Sequence, residues 1–260
     1  MAQVVSEDFT VARDGLTLQG HVEYPQGSTH DRVVICMHGF LRDMGVKPGD
    51  LYQDISDALT AHGMTCVRFD FNGRGRSEGA FEDSDVFNQI EDAIAVLNHV
   101  RDAYDPLEIS LLGHSQGGVV AGMTAGMFSD VIHTLVMLAP AASLKDDALR
   151  GELLGTPFDV NRVPRRITLA GGQTIASKSV RIAQMLPIYE TTAMFHGPAL
   201  VIQGKDDAVI GPHVAANYGA AMPNCEASLY TDLGHAFTGE DRVTALTEAT
   251  QFLVNEEEAV

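Results

Sequence analysis

At residues 108–128 the chain reads EISLLGHSQGGVVAGMTAGMF. An apolar run, EISLL, breaks into Gly113-His114-Ser115-Gln116-Gly117 and passes at once into a stretch rich in helix-compatible apolar residues. This is a strand, a very tight turn and a helix. G-x-S-x-G occurs by chance in many chains, so the flanking elements decide its meaning, and here they fit. Small residues two places either side of the apex let the backbone turn sharply. The turn lifts the Ser115 hydroxyl above the sheet edge, at the positive end of the helix that follows.

Outward from this point the same rhythm repeats. Apolar runs occur at 32–37 (RVVICM), 64–70 (MTCVRFD), 131–138 (VIHTLVML), 199–203 (ALVIQ) and 226–231 (EASLYT). Between most of them lie amphipathic patterns at 50–62, 85–103, 116–128, 212–221 and 241–255. Buried runs alternating with helices predict an α/β chain with a mostly parallel sheet covered on both faces. Alternation on both sides of Asp14-Gly15 predicts an N-terminal hairpin. One interval, 141–198, is too long for a single crossover. It carries Pro157, Pro164, Gly171-Gly172 and the basic residues Arg162, Arg165 and Arg166. It is expected to be a cap inserted over the carboxyl ends of the strands, where open α/β sheets bind ligands. The expected division is a core of residues 1–140 and 188–260 with the cap at 141–187.

A serine needs a base to become a nucleophile, and the base needs an acid to orient it. ALVIQ runs into Gly204-Lys205-Asp206-Asp207-Ala208-Val209-Ile210, and the last strand run is followed by Leu233-Gly234-His235-Ala236-Phe237. Ser115, an aspartate and His235 therefore come in the order nucleophile, acid, base, each on a loop after a strand. Asp206 and Asp207 compete for the acid role on that loop; the pattern G-x-x-D-x-x-[VI] of the family that the chain resembles, named below, fits Gly204, Asp207 and Ile210 and implies Asp207, with Asp206 read as capping the turn. An oxyanion needs two donors, read as the amides of Phe40, in His38-Gly39-Phe40 after the first parallel strand, and of Gln116. His38 and His114 belong to loop motifs and are read as structural hydrogen-bonders rather than as the base. His114 and Gly39 are also placed on the substrate-binding surface. Asp70-Phe71-Asn72-Gly73-Arg74-Gly75-Arg76-Ser77-Glu78-Gly79 lacks the Gly-Lys-Ser/Thr ending of a phosphate loop and is read as a rigid turn bracing the oxyanion loop.

Composition narrows the remaining classes. Seventeen basic against 35 acidic residues leave a formal charge of −18 over 260 residues, which repels phosphates and anionic surfaces. No nucleic-acid or membrane partner is expected, and no apolar run reaches the ~20 residues of a span. The N-terminus lacks a basic segment followed by an apolar one, so a cytoplasmic location is expected. Cys36, Cys66 and Cys225 are read as buried free thiols. No histidines or cysteines stand at ligand spacing with supporting carboxylates, so neither a metal nor a cofactor is expected. Nothing in the sequence reports oligomeric state, a homodimer included.

HGF at 38–40, DFNGRGRSEG at 70–79, GHSQGG at 113–118, LAPAASLKDDAL at 138–149, RIAQMLPIYE at 181–190 and GKDDAVI at 204–210 together resemble bacterial cinnamoyl (feruloyl) esterases of the α/β-hydrolase superfamily. The resemblance implies an α/β-hydrolase fold and hydrolysis of hydroxycinnamate esters, a small-molecule substrate, through an acyl-enzyme. It also implies that the cap walls the acyl pocket and that Asp147 binds substrate there. The chain departs from the pattern at 150–180, which holds no tyrosine and reads LLGTPF and GGQTIASKS. Gln173 and Ser179 are the polar groups offered in place of the expected ones. The rival expectation is a short-chain aliphatic carboxylesterase or monoacylglycerol-type lipase.

Overall fold

A computed structural model describes residues 3–255. The outermost ends of the expected core, residues 1–2 and 256–260, lie outside the described residues. Two long strands open the chain, β1 (Val4–Arg13) and β2 (Leu16–Pro25), paired antiparallel about a turn. Asp14 and Gly15 both have positive φ, 49° and 83°, as the hairpin turn whose twist matches its strands requires. There follow β3 (Arg32–Met37), α1 (Leu51–Ala61), β4 (Thr65–Phe69), α2 (Val86–Tyr104), β5 (Glu108–His114), α3 (Gln116–Met127) and β6 (Ile132–Leu138).

The stretch 141–198 folds as α4 (Leu144–Arg150), two short hairpins and two helices. The hairpins pair β7 (Glu152–Leu153) with β8 (Thr156–Pro157), and β9 (Arg166–Thr168) with β10 (Thr174–Ala176). The helices are α5 (Ser177–Met185) and α6 (Ile188–Thr192), of which α6 packs on α3. The chain then re-enters the sheet with β11 (Ala199–Gly204), α7 (His213–Ala221), β12 (Cys225–Tyr230) and α8 (Arg242–Asn255).

The large sheet has the order β1-β2-β4-β3-β5-β6-β11-β12. From β4 to β12 every pairing is parallel, and the N-terminal hairpin adds antiparallel strands at one edge. Alternation along β3 separates two apolar layers. Val33, Ile35 and Met37 join the side covered by α2, α3 and α7, whereas Val34 and Cys36 join the side covered by α1 and α8. Leu51, Tyr52, Ile55 and Leu59 form the buried stripe of α1, whose first turn is capped by Asp50 accepting from the Tyr52 amide. That stripe holds Tyr52 under the carboxyl end of β3.

Cys36 and Cys66 are buried on neighbouring strands, their sulfurs 3.7 Å apart, as free thiols. Cys225, expected to be buried, is partly exposed because it opens the edge strand β12, where no further strand covers it. No helix among the described residues is long and apolar enough to cross a membrane.

Candidate active site

Ser115 sits between β5 and α3 with φ 55° and ψ −122°, a backbone conformation that costs energy for any residue with a Cβ. The surrounding turn enforces it. The Ser115 amide donates to the Leu138 carbonyl at 2.9 Å, and the Ser115 carbonyl accepts from Gly118 and Ala141 at 2.9 Å each. A Cβ on Gly113 would collide with the Gly117 carbonyl, and one on Gly117 with the Met37 and His38 carbonyls. These close approaches give the glycines of the motif their physical reason.

His235, on the loop after β12, places Nε2 2.9 Å from Ser115 Oγ and Nδ1 2.9 Å from Asp207 Oδ2. Asp207, on the loop after β11, is further fixed by donors. Its Oδ1 accepts from the Val209 and Ile210 amides at 2.8 and 2.9 Å, and its Oδ2 from Gln203 Nε2 at 3.0 Å. Burial alone would raise this carboxyl, but the hydrogen bonds, that from His235 foremost, hold it below the ordinary aspartate value. Asp206 is exposed beside it. The three groups converge from three different loops at the carboxyl ends of parallel strands, the edge at which such sheets bind ligands. The geometry suits proton transfer: with Nδ1–H donated to Asp207, Nε2 is left to accept from the serine hydroxyl.

Above Ser115 lies a cavity of about 480 Å³. Its walls come from the loop after β3 (Phe40, Leu41), from Gln116, from the inserted stretch (Leu144, Asp147, Leu153 and Leu154 among them) and from Ala208–Ile210. Phe40 and Gln116 thus face the same space as the serine. Gln116 opens α3, whose first amides have no acceptor within the helix. Phe40 is braced by the turn after β4: its carbonyl accepts from Arg74 Nε at 2.7 Å, and the Arg74 guanidinium lies over the Phe40 and Phe81 rings, 5.0 and 3.6 Å from their centroids. Burial brings the Arg74 pKa down to about 10. Within the same turn Asp70 accepts from the amides of Met44 and Arg76, tying the two loops together.

Asp147 does line the cavity, where Ser143 Oγ donates to it at 3.0 Å and Arg150 pairs with it. Gln173 is not among the cavity's lining residues. Gly39 and His114 are not either; both are buried behind Ser115. They belong instead to a hydrogen-bonded chain whose directions are fixed by its carbonyl end. Because a carbonyl only accepts, His114 Nε2–H donates to the His235 carbonyl at 2.8 Å, leaving Nδ1 to accept from Tyr52 OH at 3.0 Å. The Tyr52 oxygen in turn accepts from the Gly39 amide at 2.9 Å. By the same logic His38 Nδ1–H donates to the Gly39 carbonyl at 2.8 Å, and Nε2 accepts from the Phe71 amide at 3.1 Å. Burial pushes both imidazoles down to about 4, so both are neutral near pH 7. Tyr52, Arg74 and Gln203 are the residues that sequence reading did not single out. Arg74 lay within a quoted motif, but Tyr52 and Gln203 carry no local signal.

Residues 28–170 match the model of the family described as serine aminopeptidase, S33. Among curated proteins, a serine hydrolase-like protein of Danio rerio is 28% identical over 112 residues, which are 43% of this chain and 32% of that protein. The matched stretch therefore spans about a third of that relative's length. Among solved structures, Est1E from Butyrivibrio proteoclasticus with ferulic acid bound superposes with a TM-score of 0.90 at 24% identity, covering 96% of this chain and 99% of that one. Mouse alpha/beta hydrolase domain-containing protein 10 gives 0.74 at 16% identity, covering 96% and 99%. At such identities these likenesses establish the fold, an α/β-hydrolase fold with a mostly parallel sheet. With more than half of its length inside the family model, the chain belongs to the serine aminopeptidase, S33 family of hydrolases.

Proposed function

We propose that the protein is a serine carboxylesterase that cleaves hydroxycinnamate esters through an acyl-enzyme. The observation that carries this reading is the unbroken Asp207–His235–Ser115 chain, 2.9 Å at each link, opening into a largely apolar cavity of drug-like size. Ser115 Oγ attacks the ester carbonyl while His235 Nε2 takes its proton, and Asp207 holds the imidazole in the required tautomer. The negative charge that develops on the carbonyl oxygen falls to the Phe40 and Gln116 amides, a main-chain oxyanion site whose donors are worth about 3 kcal/mol each at the transition state. His235 then protonates the leaving alkoxide. Water, deprotonated by the same imidazole, attacks the acyl-enzyme and frees Ser115. No step calls on a metal or a cofactor.

Residues 141–187 act as the cap in this reading, with 1–140 and 188–260 as the core. Support comes from cap side chains walling the cavity and from the ferulic acid bound to Est1E, the protein of like fold. One observation favours the aliphatic alternative: among the described residues that wall the cavity Phe40 is the single aromatic one, and its apolar neighbours there are Leu, Ile, Val and Ala. The test compares methyl ferulate with p-nitrophenyl butyrate, using Ser115→Ala as control. Ferulate turnover at comparable or higher kcat/KM, abolished in the variant, supports the hydroxycinnamate reading. Cleavage of butyrate alone moves the assignment to a short-chain esterase, and cleavage of neither refutes ester hydrolysis.

A further inference from the structure

Behind Phe40 lies a buried charge with no counter-ion in contact. Arg74 is 5% exposed and forms no ion pair among the described residues. Its hydrogen bonds go to uncharged acceptors: Nε donates to the Phe40 carbonyl at 2.7 Å and Nη1 to the Gly73 carbonyl at 3.3 Å. Nη2 is buried and has no partner among the described residues. The rings of Phe81 and Phe40 close over the guanidinium. Asp92 is the carboxylate whose field favours this charge, but it is already engaged by Arg13 Nε at 2.7 Å and by Asn72. With its pKa at about 10, Arg74 is still cationic near neutral pH.

Taking a charge out of water is expensive, and buried cations are as a rule paired. Stability alone gives no reason to keep this one, since an apolar side chain of similar length would avoid the desolvation. Its place beside the reacting centre does give a reason. The guanidinium binds the carbonyl of the residue whose amide is the proposed oxyanion donor, and Arg74 is not itself a wall of the cavity. The negative end of that peptide is thus held toward Arg74, where it does not oppose an oxyanion. The charge also stands on the oxyanion side of the site. Its field is among the leading influences on His38, in the same loop, and not among those on His114 or Asp207. It therefore favours negative charge on the ester oxygen more than it opposes the imidazolium of His235, which Asp207 compensates.

We propose that Arg74 is a positioning residue of the oxyanion site, supplying a fixed positive field whose counter-ion exists only in the transition state. The proposal rests on the reading of Ser115 as nucleophile and Phe40 as oxyanion donor, and deepens it. A guanidinium already immobilised by its packing needs no reorganisation when the charge develops. Two hydrogen bonds and one residue separate it from the oxyanion, roughly 8 Å, and at an effective dielectric of about 20 a unit charge at that range is worth about 30-fold in rate.

Three variants separate the charge from the hydrogen bond. Arg74→Gln keeps a donor and loses the charge, Arg74→Lys keeps both, and Arg74→Met keeps neither. Each is assayed for kcat and KM on p-nitrophenyl butyrate and for inhibition by an alkyl trifluoromethyl ketone, with the corresponding secondary alcohol as a neutral control. Ser115 Oγ adds to the ketone carbon, its proton passes to His235, and the former carbonyl oxygen is left as an oxyanion. In Arg74→Gln kcat should fall about 30-fold with KM within about twofold, and the ketone should bind more weakly by a similar factor while the alcohol binds as it does to the parent. Arg74→Lys should recover most of both losses, and Arg74→Met should lose at least as much as Arg74→Gln. The alcohol reads the integrity of the cavity, so a variant that is merely distorted loses ketone and alcohol in parallel. That outcome overturns the proposal, as does parental kcat in Arg74→Gln or an equal loss in Arg74→Gln and Arg74→Lys. A parent enzyme that the ketone fails to inhibit refutes instead the acyl-enzyme reading beneath the proposal.

Discussion

Replacing Tyr52 by Phe removes one oxygen and leaves the packing of the ring in place. Tyr52 is buried in the stripe of α1, its ring 6.1 Å from that of His114, and it does not touch the cavity. The lost hydroxyl is at once the acceptor for the Gly39 amide and the donor to His114 Nδ1. Both groups are buried, and neither gains a new partner from a phenylalanine. At about 1–3 kcal/mol for each buried group left unpaired, the cost to folding is roughly 3 kcal/mol. For a domain of this size that lowers Tm by about 6–12 °C. The catalytic consequence follows from where the chain ends: one terminus holds Gly39, next to the proposed oxyanion donor Phe40, and the other holds the carbonyl of His235. Slackening both should lower kcat by 10- to 100-fold, a fraction of the ~3 kcal/mol that a whole oxyanion donor supplies, with KM changed less than about twofold. Steady-state kinetics on p-nitrophenyl butyrate and a thermal melt measure both effects. A Tyr52→Phe protein with parental Tm and parental kcat would refute the role given to this chain.

Other consequences can be checked as directly. His38 and His114 are held near pKa 4 in the fold against about 6.5 in an unfolded chain, so between these values the unfolded state binds more protons. Their stabilising contribution is complete above about pH 6.5 and is lost as pH falls toward 4, at up to about 1.4 kcal/mol per pH unit for each. Urea unfolding at pH 7 and pH 5 should show this slope, and His38→Asn should reduce it by one histidine's share; an unchanged slope contradicts a neutral, buried His38. Asp207→Asn should cost on the order of 10⁴-fold in kcat by stabilising the wrong imidazole tautomer, whereas the same change at the exposed Asp206 should stay within a few-fold. Equal losses at the two positions would undo the choice between them. Gly117→Ala drives a Cβ into the Met37 and His38 carbonyls and should destabilise by at least about 1–3 kcal/mol, visible as a lower urea midpoint.

Much of this molecule is legible in its sequence because its constraints are local. Each parallel strand must be apolar on both faces and must end in a turn, so β3, β5, β6 and β11 stand out as short apolar runs bounded by turn residues. The loops after β5, β11 and β12 then carry Ser115, Asp207 and His235 in that order. Between the two adjacent aspartates the resemblance, not the residues alone, points to Asp207, and in the fold Asp207 is the one against His235. What escapes the sequence is contact made across the sheet. Tyr52 reads as one more apolar position of an amphipathic helix, and only the packing of α1 under β3 reveals that its hydroxyl faces Gly39 and His114. For the same reason the sequence puts Gly39 and His114 beside the substrate, whereas burial puts them behind the serine. Cys36 and Cys66, thirty positions apart, meet only through strand pairing. The two short hairpins of the inserted stretch have no periodicity long enough to read, since β7 and β8 have two residues each.

The central claim is that Ser115 is the nucleophile of an acyl-transfer reaction, and peptide mass spectrometry of protein quenched under turnover tests it most directly. The protein is quenched in acid within its first turnovers of a p-nitrophenyl ester and then digested. The account predicts a mass gain of one acyl group on the peptide containing Ser115, together with a burst of p-nitrophenol. Both should be lost in Ser115→Ala, while His235→Ala should fail to accumulate the adduct at a comparable rate. Turnover with no adduct and no burst, or an adduct on another residue, would contradict it.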